Sequence, residues 1–172
     1  MAELHNVHSS DKVLTDIVHA HPHEVTIVAL GPLTNLARAL SRDPELASLI
    51  SQVVIMGGAV NGVGNVTPSA EFNIFCDPAA ARAVFRSHVT KTLVPLDVTN
   101  QLVMTFDFLD QLDEKTRCGK FLRRVLPFAF RSHRQELGME GIHVHDAVAA
   151  VAATYPELFT TEGLNGDVET SG

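Results

Sequence analysis

Short β-branched runs alternate with stretches of helical apolar spacing through the first half of the chain. The runs predict three buried strands, at Val25–Leu30, Gln52–Met56 and Thr92–Leu96. Helices are predicted between and after them, at Leu33–Leu40, from Asp43-Pro44 to Ile50, and from Asp77-Pro78 onward. Asp followed by Pro is typical of a helix start, since Asp caps the free amides and Pro fits the first turn. The alternation predicts the α/β class, with a Rossmann-like, open, mostly parallel sheet flanked by helices.

The second half of the chain is predicted to be mostly helical. A short helix is expected at Phe106–Leu112, and the next apolar stripe consists of Phe121, Leu122, Val125, Leu126 and Ala129. Pro127 should kink or interrupt that helix, because proline lacks a backbone donor and clashes with the preceding turn. A final stripe follows the i, i+3, i+4, i+7 pattern at Val148, Val151, Ala152 and Tyr155.

Composition narrows the class of protein. With 172 residues and 45% hydrophobic content, the chain is predicted to form a single domain over residues 1–172. The net charge of −7 argues against a nucleic-acid partner. No apolar stretch reaches the length of a membrane span, and Met1–His5 does not resemble a signal peptide. Cys76 and Cys118 form no CxxC or zinc-like pattern, which favours a reduced, cytoplasmic setting.

The segment from Gly57 to Asn73, GGAVNGVGNVTPSAEFN, concentrates polar groups directly after a predicted strand. A long loop at the end of a buried strand is where open α/β sheets bind ligands. Its polar residues carry amide and carboxylate groups suited to sugar hydroxyls, and they are Asn61, Asn65, Glu71 and Asn73. The alternative interpretation is a surface connection with glycine turns. We favour the ligand site because Glu71 and Asn73 immediately precede an apolar run.

Two strand ends and one helix start could contribute to the same crevice. Leu30 and Met56 end adjacent predicted strands, and the carboxyl ends of parallel strands face the ligand. His145 and Asp146 open the last helix, where the macrodipole favours a carboxylate. An imidazole can donate a proton near neutral pH, and a carboxylate is a hard oxygen ligand. The alternative for His145 is an ordinary surface residue at a helix start.

Four motifs in register carry a family resemblance. They are MGG followed by GNVTPSAEFNIFCDP, VALGPLTNLA at Val28–Ala37, PLDVTNQ at Pro95–Gln101, and VHDAVAA at Val144–Ala150. Together they resemble the inosine–uridine-preferring nucleoside hydrolases over most of the chain. The resemblance implies hydrolysis of the N-glycosidic bond of ribonucleosides, a small-molecule ribonucleoside substrate, bound calcium, and a homodimer or homotetramer for the full-length protein.

The resemblance also assigns roles residue by residue. The main-chain carbonyl of Leu30 and the carboxylate of Asp146 match calcium ligands. His145 matches the acid that protonates the leaving base in purine-cleaving members. The ribose contacts match the main chain of Met56 and the side chains of Asn65, Glu71 and Asn73.

The chain departs from the family pattern at its start. The family opens with an Asp-rich DxDxGxDD-type turn that supplies the remaining calcium ligands and the general base, whereas the first aspartates here are the isolated Asp11 and Asp16. At the other end, GDVETSG resembles the beginning of a later strand. We therefore expect a family sequence truncated at both termini.

Two other functions compete with the hydrolase. A hydrolase-like fragment could keep the ribose contacts and lack catalysis, and an upstream Asp cluster in the reading frame would distinguish the two. A dinucleotide-binding oxidoreductase would share the strand–helix alternation. It ranks lower because no GxGxxG follows the first predicted strand.

Overall fold

The computed structural model of the protein describes residues 9–170, which form two compact units. The first unit contains the described residues up to Asp97 together with those from Asp146 onward, and the second is Val98–His145. The helices are α1 Ser10–Ala20, α2 Thr34–Arg42, α3 Leu46–Leu49, α4 Phe72–Cys76, α5 Pro78–Arg86, α6 Leu96–Thr99, α7 Arg117–Leu137 and α8 His145–Thr154. The strands are β1 Thr26–Ala29, β2 Gln52–Met56, β3 Lys91–Val94, β4 Val103–Thr105 and β5 Gly141–His143. Short 3-10 helices cover Phe106–Gln111 and Pro156–Leu158.

A parallel sheet in the order β1-β2-β3 organises the first unit. Ile27 pairs with Val53, and Val54 pairs with Thr92. The central strand β2 is buried along its apolar residues, as expected for a parallel strand with neighbours on both sides. The predicted α/β class and parallel sheet flanked by helices are confirmed. β1 and β2 are adjacent, and Met56 ends β2 as predicted, whereas Leu30 lies one residue beyond the end of β1.

The core of the first unit is built from β2 and the helices around it. Its fully or nearly fully buried members include Val18, Leu33, Leu36, Leu46, Val53, Ile55, Ala81 and Val84. Burying such side chains contributes about 1.5–3 kcal/mol each for Val, Leu or Ile, so this cluster supplies the main driving force for folding of the unit.

Asp77 fixes the start of α5 as the sequence predicts. Its Oδ1 accepts a hydrogen bond from the Ala80 amide at 3.0 Å, and Pro78 takes the first helical position. The Thr34 hydroxyl, at the start of α2, donates to Oδ2. That hydrogen bond and the one from Ala80 hold the pKa of Asp77 below its ordinary value, against the opposing effect of burial. The capping carboxylate therefore also joins α2 to α5.

We expect Asp77→Asn to lower stability at neutral pH and to have little effect in acid. Asparagine still caps the helix but carries no charge. Because the folded pKa of Asp77 is depressed, its contribution is present above the ordinary carboxyl pKa of about 3.8 and is lost as pH falls through the folded value. Urea unfolding of the native chain and of Asp77→Asn, between about pH 7 and pH 2, measures the gap between their free energies of unfolding. Asp110→Asn, at a side chain that is 91% exposed, is the control. A gap that stays constant with pH would contradict the assignment.

Asp43 does not cap the helix α3, contrary to the prediction. Its Oδ1 accepts from the Glu45 amide at 3.2 Å and its carbonyl from Leu46, so it forms a turn. The helix α3 begins only at Leu46 and has four residues. The side chain of Asp43 instead meets Nε2 of His19 on α1 at 2.6 Å.

The helix α1 was not predicted, and it holds both of the first aspartates. Asp11 is only 6% exposed and forms an ion pair with Arg42 on α2. Asp16 lies one turn from Lys12 and is paired with it. Both carboxylates are thus engaged within the first unit.

The second unit combines an antiparallel pair of strands with a long helix. β4 and β5 pair with Met104 opposite Ile142, which the largely helical prediction for this half missed. α7 runs unbroken through Pro127, so the predicted interruption is wrong. Phe130 of α7 is 1% exposed and stacks on Phe106 with ring centroids 4.4 Å apart.

The buried side of α7 also differs from the predicted stripe. Leu126 and Phe130 are buried with Ile142, whereas Phe121 and Val125 are exposed. Phe121 and Val125 are one turn apart and lie on the same edge of the predicted stripe, so the buried face is rotated away from that edge, toward Leu126 and Phe130.

The last helix and the residues after it return to the first unit. Val148, Ala149 and Ala152 of α8 are buried, whereas the predicted Val151 and Tyr155 are exposed. The residues of GDVETSG that lie in the described part are irregular rather than a strand, and the last two lie outside it. Among residues 9–170, no helix combines the length and apolar character needed to cross a membrane.

The irregular tail is nevertheless anchored to α5. Val168 is 7% exposed and belongs to the core, and Asp167 pairs with Arg82 and Arg86. The hydrogen bond from Arg86, supported by the Val168 amide and Arg82, depresses the pKa of Asp167 strongly.

Candidate functional site

The carboxyl end of β2 holds a buried polar cluster. We call Met56, Glu71 and Asn73 the β2 corner. Asn73 is 8% exposed, and its Nδ2 donates to the Met56 carbonyl oxygen at 3.1 Å and approaches the Met56 sulfur at 3.5 Å. The amide of a buried asparagine therefore fixes the last residue of the central strand.

Glu71 supports the β2 corner through backbone amides. It caps α4, with Oε1 accepting from the Asn73 amide at 2.9 Å and Oε2 from the Ile74 amide at 3.1 Å. Oε2 also accepts from Gly58 at 3.0 Å, where φ is +79°, a conformation that favours glycine. The helix α4, which was not predicted, thus starts at Phe72, with Glu71 as its cap and Asn73 in its first turn.

The carboxylate of Glu71 has little capacity left for a ligand. An ionised carboxylate offers roughly four lone-pair positions, and three amides already use it. At 2% exposure, it presents a fixed negative charge and at most one further acceptor position to a neighbouring hydroxyl. This suits orientation of a sugar better than proton transfer.

Asn65 lies in the exposed loop that precedes Glu71. Its Oδ1 accepts from the Phe72 amide at 2.9 Å, which ties the loop to the start of α4. Gly64 makes the close turn beside it, because a Cβ there would lie 2.3 Å from the Ala70 carbonyl oxygen. The loop is therefore ordered by its own hydrogen bonds, and the glycines serve a specific geometry.

Asp97 binds the first part of the same loop, before Asn65. Its carboxylate oxygens accept from the Val60 amide at 2.8 Å and the Asn61 amide at 2.7 Å. Burial alone would raise the pKa of Asp97, but these amide hydrogen bonds lower it overall. Sequence reasoning assigned Asp97 no role. The available signal was an aspartate directly after the third strand, at the edge where the other strand ends carry polar groups.

The predicted calcium ligands do not make a complete site from the described residues. Leu30 follows β1 and is 40% exposed, and Asp146 is exposed in the first turn of α8. Within residues 9–170, no group of three or more His, Cys, Asp or Glu side chains could hold a metal ion. A carbonyl oxygen and one carboxylate fall well short of the six to eight oxygens that calcium takes. Asp11 is unsuited to fill the shell because it is paired with Arg42.

His145 is held by residues of the second unit. Its Nδ1 lies 2.7 Å from the hydroxyl of Thr99, at the end of α6. Its ring also stacks on His143, with centroids 5.5 Å apart and an interplanar angle of 28°. Sequence reasoning missed Thr99, although the residue lies within the quoted PLDVTNQ motif.

The comparisons with known proteins identify the family. The model for inosine-uridine preferring nucleoside hydrolases matches residues 2–172. A protein of Shigella boydii named non-specific ribonucleoside hydrolase RihC is 44% identical over 159 residues, which cover 92% of this chain and 51% of that protein. The chain therefore belongs to the inosine–uridine-preferring nucleoside hydrolase family.

Solved structures agree with this membership. A purine-preferring ribonucleoside hydrolase from Gardnerella vaginalis superposes with a TM-score of 0.90 at 35% identity, covering 96% of this chain and 53% of that one. A plant nucleoside hydrolase, PpNRh1, gives a TM-score of 0.83 at 39% identity, covering 88% and 48%. The chain spans about half the length of the curated relatives that it matches.

Proposed function

We propose that the chain carries the ribose-binding and leaving-group residues of a nucleoside N-ribohydrolase. The observation that carries the proposal is the β2 corner, where Asn73 and Glu71 are buried and fixed at the carboxyl end of the central parallel strand. Family membership supports a ribonucleoside as the ligand. Met56 and Asn65 would complete the ribose contacts, and His145 would donate the proton to the leaving base.

The chemistry fits an oxocarbenium-like transition state. When the bond between C1′ and the base nitrogen breaks, positive charge develops on the ribose ring, and a nearby carboxylate stabilises it. Glu71 supplies such a charge, and its amide bonds keep it in place. The departing base takes the bonding pair and needs a proton, which His145 would give. Water adds its oxygen to C1′ and loses a proton, so the products are ribose and the free base.

The calcium requirement belongs to the proposal for a longer protein. There, Leu30 and Asp146 would be two of the ligands, and an Asp-rich turn would supply the others and the general base. The residues described here do not complete that shell, so no step above depends on the metal. We also propose the cytoplasmic setting and the homo-oligomeric state for such a protein.

The proposed roles are tested in a longer protein that contains both this chain and an N-terminal Asp-rich turn. We expect Asn73→Ala to slow ribose release by roughly ten- to a hundredfold, because a lost hydrogen bond of about 1.5–3 kcal/mol no longer orients the sugar. Asn165→Ala, in the exposed tail, is the matched control. An equal effect of both variants would remove Asn73 from the ribose site.

In the same protein, we expect His145→Ala to slow cleavage of inosine far more than cleavage of a riboside with an activated leaving group. Only the purine needs a proton as it departs, and general acids typically contribute about 10²–10⁴-fold. The ratio of the two kcat/KM values measures the role directly. Equal losses on both substrates would exclude His145 as the acid.

A ribose-binding protein without catalysis is the second candidate function. It is favoured by the engaged Asp11 and Asp16 and by the incomplete metal shell of the described residues. For the 172-residue chain, we expect millimolar calcium to leave the unfolding temperature nearly unchanged. A ligand well below its Kd adds less than about 0.4 kcal/mol. Calorimetric melts with calcium and with EDTA measure this, and a clear calcium-dependent rise that Asp146→Asn abolishes would contradict it.

A further inference from the structure

Thr99 is a buried hydroxyl with a specific partner. Its side chain is 0% exposed at the end of α6, in the second unit. Within residues 9–170, the hydrogen-bond partner of its hydroxyl is Nδ1 of His145, at 2.7 Å. A hydroxyl has one proton to donate, and buried donors without an acceptor are rare because their desolvation is not compensated. Donation from Oγ1 to Nδ1 satisfies the buried hydroxyl, whereas the reverse direction leaves its proton without an acceptor among these residues.

We propose that Thr99 is a positioning residue that holds His145 in its Nε2–H tautomer. A neutral imidazole carries one proton, so a ring whose Nδ1 accepts a hydrogen bond must carry that proton on Nε2. The ring of His143 stacks on that of His145, with centroids 5.5 Å apart. Nothing in the local sequence distinguishes Thr99, since threonine at a helix end is common.

The consequence for catalysis rests on the proposed function. If His145 serves the leaving base, its hydrogen bond to that base must come from Nε2, because Nδ1 is committed to Thr99. A residue that fixes the tautomer presents the correct atom before substrate binds, as the partner of the second ring nitrogen does in other histidine sites. Thr99 would not touch the substrate.

The test reads the tautomer of His145 by NMR in the 172-residue chain. Long-range ¹H–¹⁵N spectra, recorded with the imidazole neutral, distinguish a protonated ring nitrogen from an accepting one. We expect Nε2 to be the protonated nitrogen in the native chain and in Thr99→Ser, which keeps the hydroxyl. Thr99→Val has nearly the same shape but no donor, and we expect its two ¹⁵N shifts to move toward each other as the second tautomer becomes populated.

Two outcomes would overturn the inference: a native chain with the proton on Nδ1, or a folded Thr99→Val chain whose ¹⁵N shifts match the native ones. The first outcome needs no variant, so the test holds even if Thr99→Val does not fold. The spectra require no turnover, so they test the tautomer of His145 even if the chain does not hydrolyse nucleosides. Conversely, a different tautomer would not contradict the proposed ribose contacts.

Discussion

We expect the purified 172-residue chain to release ribose from inosine or uridine at no more than trace rates, even with saturating calcium. The sequence contains no Asp-rich turn, and Asp11 and Asp16 are held in ion pairs with Arg42 and Lys12. Loss of a positioned general base typically costs about 10²–10⁴-fold by itself. Because residues 9–170 hold no group of three or more His, Cys, Asp or Glu side chains suited to a metal, the attacking water also loses its orientation. The assay measures reducing sugar beside a full-length family member as the positive control.

Contamination by a host hydrolase is the main risk in that assay. The variant His145→Ala, purified in parallel and assayed with inosine, separates the two sources, because host activity persists in it whereas inosine cleavage by the chain should fall by about 10²–10⁴-fold. Robust ribose release that disappears in His145→Ala would show that the described residues suffice for catalysis. The hypothesis that hydrolysis requires an Asp-rich turn would then be wrong.

The sheet of the first unit could be predicted because its signals are local and strong. β2 was predicted with its observed bounds, since a run of β-branched and apolar residues reflects burial on both sides. α5 was predicted from Asp77 and Pro78, whose cap geometry depends on neighbouring residues alone. In contrast, α4 has five residues and shows no helical period, so only its cap, Glu71, could have indicated it.

The second unit was less predictable because its signals are non-local. β4 and β5 have three residues each and lie on either side of α7, so neither shows an alternating pattern long enough to detect. Pro127 should break a helix on local grounds. Here, burial of Leu126 and Phe130 on the flanking turn offsets the roughly 3 kcal/mol that an internal proline costs.

The sequence analysis selected polar residues at the carboxyl end of β2 but not the backbone contacts that they make. Asn73 and Glu71 were selected for groups that suit a sugar, yet the structure shows that both also fix the backbone around the end of β2. Asp97 was signalled only by its position after the third predicted strand, and the roles of Asp97 and Thr99 come from contacts with residues 36 to 46 positions away in the chain. Such partners become visible only in three dimensions.

We expect Glu71→Ala to be among the most destabilising single substitutions in the first unit. The change leaves the amides of Gly58, Asn73 and Ile74 without their acceptor in a corner where Glu71 is 2% exposed. Each buried donor without a partner costs about 1–3 kcal/mol, and partial hydration reduces the sum. We therefore expect a loss of roughly 2–4 kcal/mol in the free energy of unfolding, measured by urea denaturation followed by circular dichroism.

Two further variants separate this buried role of Glu71 from ordinary helix capping. Glu71→Gln keeps one oxygen but turns an amide nitrogen toward backbone donors. Its loss in free energy of unfolding should therefore fall between zero and that of Glu71→Ala. Thr116→Ala removes the exposed cap of α7, where the hydroxyl accepts from Gly119 at 2.9 Å, and should cost about 1 kcal/mol. If Glu71→Ala costs no more than Thr116→Ala, the carboxylate does not organise the β2 corner. Retention of full stability in Glu71→Ala would instead leave Glu71 available as a direct ligand of the ribose.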